Sequence, residues 1–169
     1  MKSPSGIEFN NDCLKVLSHT LLATSPEEGC ALLIGSHKQS IGLKQENTLQ
    51  VHMIWPCCNI WEPNKFNLLE SKKNLNSTVQ ERLSKENRFV IDPREQLHAQ
   101  RWARKHHLMI IGSAHSHPQG NALPSLVDFK CTISPGAMVI IGKFGEGRAW
   151  WIERSQNFHP KELAILAPK

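Results

Sequence analysis

The chain is expected to fold as an α/β domain in which a mixed, mostly antiparallel β-sheet of about six strands is flanked by helices. Three observations carry this expectation. Six short apolar runs, Cys30 to Ile34, Val51 to Trp55, Arg88 to Ile91, Leu108 to Ile111, Met138 to Ile141 and Ala149 to Ile152, have the length of strands. Two other stretches carry helical spacing and capping residues. The 169 residues also suffice for one domain that buries about 70% of its unfolded surface, and no repeat, low-complexity tract or linker divides it.

Leu14, Leu17, Leu21 and Leu22 recur at helical spacing after Asn10-Asn11-Asp12, so the first helix ends before Pro26. Val51, Met53 and Trp55 alternate as a half-buried strand does. A second helix starts at Asp92, where Asp92 caps, Pro93 takes the first helical position and Glu95 completes a capping box; it runs to about His106. Residues 64–87 are longer than a connection needs and read as a surface insertion with a short helix around Thr78 to Leu83. The sharper alternative is a lid or docking arm, which deleting Leu68 to Lys85 would test through KM.

The formal charge is +5, a bias toward an acidic partner that a solvated surface largely accounts for. Basic residues are scattered among acids without an aromatic-interleaved stripe, so nucleic-acid binding is not expected. The N-terminus has no apolar h-region and no run reaches the roughly 20 apolar residues of a membrane span. Five cysteines, Cys13, Cys30, Cys57, Cys58 and Cys131, include no C-x-x-C pair, which suits a soluble protein in a reducing cytoplasm.

The chemistry concentrates between Ile111 and Phe129, IGSAHSHPQGNALPSLVDF. His115 and His117 lie two apart at the end of an apolar run, so their imidazoles share a strand face. Pro124 and Ser125 read as a helix start that sets Ser125 and Asp128 on one face of the first turn. Two imidazoles and a carboxylate leave one position of a tetrahedral zinc open, the pattern of a hydrolytic rather than a structural site. Amide hydrolysis also needs a carboxylate that takes a proton from water and gives it to the leaving amine. Glu27 or Glu28 suits that role, and composition does not choose between them.

The elements P-x-E-x-x-x-L-L-x-G at Pro26 to Gly35 and H-x-H-P, six residues, S-x-x-D at His115 to Asp128 resemble the JAMM (MPN-plus) metallopeptidase family. The resemblance implies a single MPN/JAMM domain over residues 1–169 with the layered architecture of cytidine deaminases. It places the general base on Glu28, one zinc per chain on His115, His117 and Asp128, and the oxyanion-stabilising serine on Ser125. Trp55-Pro56 to Asn59 and Phe89 to Pro93 resemble the compact bacterial branch, whose members act on ubiquitin-like or sulfur carrier proteins. Ala31 stands where that family usually has glycine. Ala114 stands where it has a large side chain, which predicts a wider pocket floor or one completed by another residue.

Competing classes are a non-catalytic MPN scaffold, which generally lacks the ligand set, and a RadC-like DNA-associated protein, which usually carries a further N-terminal module. A zinc nucleobase deaminase is excluded because its P-C-x-x-C pair is missing. His19, His37, His52, His98 and His159 read as ordinary packed or surface residues, and His106-His107 as charge complementing a helix C-terminus. Cys57 and Cys58 read as small apolar fillers and Cys30 as an inert core thiol. Trp150 and Trp151 should face opposite ways.

Overall fold

The computed structural model describes residues 3–10, 12–39, 47–63, 83–131, 136–153 and 159–167. Its strands are β1 (Gly6–Phe9), β2 (Cys30–Gln39), β3 (Asn47–Cys57), β4 (Met109–His117), β5 (Gly136–Gly142), β6 (Gly147–Ile152) and β7 (Lys161–Leu166). The helices are α1 (Cys13–Leu22), α2 (Pro93–Lys105) and α3 (Leu126–Cys131). The expectation of about six strands in an open layered sheet is corrected here. The strands close into a barrel in the order β1-β3-β2-β4-β5-β6-β7, with β7 returning to pair with β1. Closure depends on β1 and β7, two short strands whose pairing with each other removes the sheet edges. The sheet is mixed: β1 runs parallel to β3 and β7, and β4 parallel to β5, while the other pairings are antiparallel.

The two sheet faces bury different helices. Leu17 and Leu21, four residues apart on α1, are buried in a cluster with Ile7, Leu33, Leu49, Val51, Val139 and Ile141. On the other face Ala99 and Ala103 of α2 are buried against Leu32 and Ile34, with Trp55 and Trp102 packed alongside. Small residues on the contact stripe let the helix lie close to the strands, and burying the larger Leu32 and Ile34 side chains beneath it contributes roughly 1.5–3 kcal/mol each. β2 carries a register shift between Ile34 and Gly35 against β3. Glycine is required there, because a Cβ at Gly35 would run into the Gln50 carbonyl.

Asp92 caps α2 as expected, accepting from the Arg94 N–H at 2.8 Å. The second half of the expected capping box is absent. Glu95 turns inward and accepts from Trp55 Nε1 at 3.2 Å, while the Arg94 side chain pairs with Asp92. Arg88 to Ile91 is extended but is not a strand of the barrel; its one bridge joins Ile91 to Asn59. The expected helix around Thr78 to Leu83, and most of the insertion, lie outside the described residues. No helix among the described residues is long and apolar enough to cross a membrane.

Candidate active site

Three pieces of chain meet at the end of β4: the β4 histidines, α3 close behind them in sequence, and the distant entry into β2. Cys30 of β2 is paired with His115 of β4, and His115 with Ile140 of β5. That register sets the two histidines on the sheet face opposite α1. Ser116, between them, points the other way. Fully buried, it donates from Oγ to the Leu21 carbonyl at 3.2 Å and accepts from the Gly29 N–H at 2.9 Å. The hydroxyl thereby ties β4 to the end of α1 and to the residue after Glu28.

Glu28 is buried and its carboxylate lies 4.0 Å from His117 Nε2, while Glu27 is exposed. The geometry thus separates two glutamates that composition left equivalent. Burial pushes the Glu28 carboxyl up to about 7, with His117 pulling it down, Asp128 pushing it up and Arg88 pulling it down. A carboxyl poised there exchanges protons readily near neutral pH. Gly29 holds this arrangement by close approach: a Cβ would stand 2.5 Å from the Leu21 carbonyl oxygen. Gly29→Ala is therefore expected to destabilise the protein by about 2 kcal/mol in urea unfolding, the magnitude of overpacking a tight contact.

His115 Nε2, His117 Nε2 and the Asp128 carboxylate converge. The two nitrogens are 3.0 Å apart, His115 Nε2 is 3.5 Å from Asp128 Oδ1, and His117 Nε2 is 3.7 Å from Oδ2. Ligands held tetrahedrally at about 2.0–2.1 Å from one ion stand roughly 3.3 Å apart, so this donor set fits a single divalent cation. His117 Nδ1 donates to the Asn121 carbonyl at 2.8 Å, which leaves Nε2 with its lone pair toward the site. Burial lowers the pKa of His115 and so favours its neutral, ligating form. Burial also works downward on His117, but Asp128, the Asn121 carbonyl and Glu28 outweigh it. Burial disfavours the Asp128 anion, yet the two imidazoles beside it and the bond from the Ser125 N–H hold its pKa well below the usual carboxylate range.

Ser125 and Asp128 cap α3 reciprocally. The Ser125 N–H donates to Asp128 Oδ2 at 2.6 Å, and Ser125 Oγ accepts from the Asp128 N–H at 3.2 Å. Pro124 precedes this cap rather than starting the helix, whose first residue is Leu126. Because Oγ accepts in the cap, the serine's own hydrogen remains available to donate outward. Ser125 is exposed.

Two further residues build the site. Phe89 stacks on His115, ring centroids 4.4 Å apart at 24°. Asn59 uses its whole amide: Nδ2 donates to the Glu28 and Arg88 carbonyls at 3.1 and 2.9 Å, and Oδ1 accepts from the Trp61 and Val90 N–H groups at 3.1 and 3.2 Å. Four backbone partners fix the amide's orientation. The Lys85 carbonyl accepts from the Glu28 N–H at 2.7 Å, so Lys85 belongs to the wall of the site and a deletion of the insertion has to stop short of it. Ala114 is fully buried with Leu17 and Leu21, on the side away from His115. Of the two expected alternatives, a wider pocket floor or one completed by another residue, the structure has the second: Ala114 packs in the core, and the aromatic beside the histidines is Phe89.

Cys30 and Cys57 take no part in the ligand set, and burial pushes both thiols up to about 12. Trp150 and Trp151 do face opposite ways. Trp150 is buried with Ile140 and donates to the Ala122 carbonyl at 3.2 Å, bracing the loop between His117 and Ser125.

Residues 10–153 match the family Prok-JAB, prokaryotic homologs of the JAB domain. The chain belongs to that family. No curated protein matches the sequence. The JAB domain resembles a solved Desulfitobacterium hafniense protein at a TM-score of 0.69 and 21% identity, over 96% of this chain and 93% of that one. For a Salinibacter ruber protein the figures are 0.53 and 21%, over 94% and 91%. For an Archaeoglobus fulgidus JAB1/MPN domain protein they are 0.51 and 15%, over 99% and 100%. At these identities the likeness is one of fold, and what this JAB domain does rests on its own residues.

Proposed function

We propose that this JAB domain is a zinc-dependent peptidase or isopeptidase of the JAMM type, hydrolysing an amide bond at the C-terminal tail of a ubiquitin-like or sulfur carrier protein. One observation carries the reading: a buried carboxylate outside the ligand set, Glu28, stands 4.0 Å from a His-His-Asp group that suits one cation. A non-catalytic scaffold has no use for a base held at that position. When bound, the cation supplies a Lewis acid for the scissile carbonyl and for water. Glu28 takes the proton of the attacking water and passes it to the leaving amine. The Ser125 hydroxyl donates to the oxygen that gains charge as the carbonyl becomes tetrahedral. Asn121 and Phe89 hold the two imidazoles in place, so little reorganisation is required as the reaction proceeds.

The test is intact-mass spectrometry of a panel of ubiquitin-like and sulfur carrier proteins, each bearing a C-terminal extension. They are incubated with the native chain and with Glu28→Ala. Loss of the extension with the native chain alone is the expected result. A metal-loaded native chain that cleaves none of the panel overturns the carrier-peptidase reading.

A further inference from the structure

We infer that the exposed face of α2 is a docking surface for the acidic face of a folded carrier protein whose tail enters the site; the carrier's identity as substrate rests on the function proposed above. Basic residues are scattered along the sequence, and α2 gathers several of them on one face. Arg94, Leu97, His98, Arg101, Arg104 and Lys105 are all exposed and fall within one arc of the helix. The buried arc holds Ala99 and Ala103. The only acidic side chain of α2, Glu95, is turned into the buried arc by its bond to Trp55. Arg94 is paired with Asp92, and no ion pair joins Arg101, Arg104 or Lys105 to an acid among the described residues.

An ordinary solvated helix interleaves acids at three- and four-residue spacing. Here Arg101 is followed at those spacings by Arg104 and Lys105, so like charges are stacked and unrelieved. The macrodipole accounts for Arg104 and Lys105, which lie in the last turn, but not for Arg101 before it. Relief has to come from outside the helix. Leu97, 45% exposed and flanked on the arc by Arg101 and Arg104, offers an apolar contact, which a protein surface matches and a phosphate backbone does not.

Position completes the argument. α2 starts at Pro93, directly after the segment that Asn59 holds and from which Phe89 stacks on His115. Its thirteen residues extend about 20 Å away from that wall. A carrier body lying on the helix sends its tail toward the wall end, and steering by opposite charge raises the encounter rate.

The experiment measures binding of a fluorescently labelled, net-negative ubiquitin-like carrier by anisotropy. The proteins compared are the native chain, Arg101→Glu/Arg104→Glu/Lys105→Glu, and the off-face control Lys15→Glu/Lys143→Glu, each checked for folding by circular dichroism. The expected result is a Kd raised at least about tenfold by the triple reversal, within about twofold for the control, and a shallower salt dependence for the triple variant alone. Equal Kd values for the native chain and the triple variant overturn the surface. So does tighter binding of a labelled 30-nucleotide single-stranded DNA that the triple variant abolishes, which would assign the face to nucleic acid. Binding is read independently of cleavage. Failure of the proposed hydrolysis therefore appears as an intact carrier that still binds, and failure of the surface as cleavage with unchanged Kd.

Discussion

Replacing Glu28 with alanine is expected to lower turnover by about 10²- to 10⁴-fold, the range a positioned general base contributes, while the protein keeps its metal. His117→Ala or Asp128→Ala is expected to lose the metal itself, because each removes one of three donors that stand 3.0 to 3.7 Å apart. Metal content after gel filtration, read by atomic emission, separates the two outcomes without reference to activity. The division follows from geometry: Glu28 Oε1 is 4.0 Å from the His117 nitrogen and lies outside the ligand group. Equal metal loss in all three variants would contradict this assignment of roles.

The second large effect is expected at Asn59. Asn59→Ala deprives the Glu28 and Arg88 carbonyls and the Trp61 and Val90 N–H groups of their shared partner. Buried groups left without a partner cost roughly 1–3 kcal/mol each, and partial access of water lowers the sum. A destabilisation of about 3 kcal/mol in urea unfolding is the expected result. Turnover should fall at least about tenfold under conditions where the variant remains folded, because Glu28 and the Phe89 wall are no longer tied to one point. Asn59→Asp keeps one acceptor oxygen but sets a second, charged one against the Glu28 and Arg88 carbonyls, acceptor against acceptor, so it should be no more stable than Asn59→Ala. Unchanged kcat in folded Asn59→Ala would show that the wall does not position the base.

The difference between what the sequence discloses and what it conceals has a physical basis. His115, His117, Ser125 and Asp128 were legible because strand and first-turn periodicities bring residues at short separation onto one face. α1 and α2 were legible for the same reason, each with buried residues four apart. β1 and β7 were not, since four residues in one and a charged start in the other leave too short an alternation to notice. The barrel's closure depends on both. Arg88 to Ile91 looks like a strand in composition, yet its polar backbone is satisfied largely by the Asn59 side chain, a long-range pairing with no local signature. The choice between Glu27 and Glu28 needed either the family resemblance or the burial of one of them, and Asn59 and Phe89 gain their roles only once the chain has closed around His115.

The site's ligands and its base are held by loops of very different length. His115 to Asp128 is a short span of chain, whereas the bond from the Gly29 N–H to Ser116 closes a separation of 87 residues. Local loosening of the chain therefore bears unequally on the two halves of the site: the donor group is tied within one stretch, while the carboxylate beside it depends on the pairing of β2 with β4.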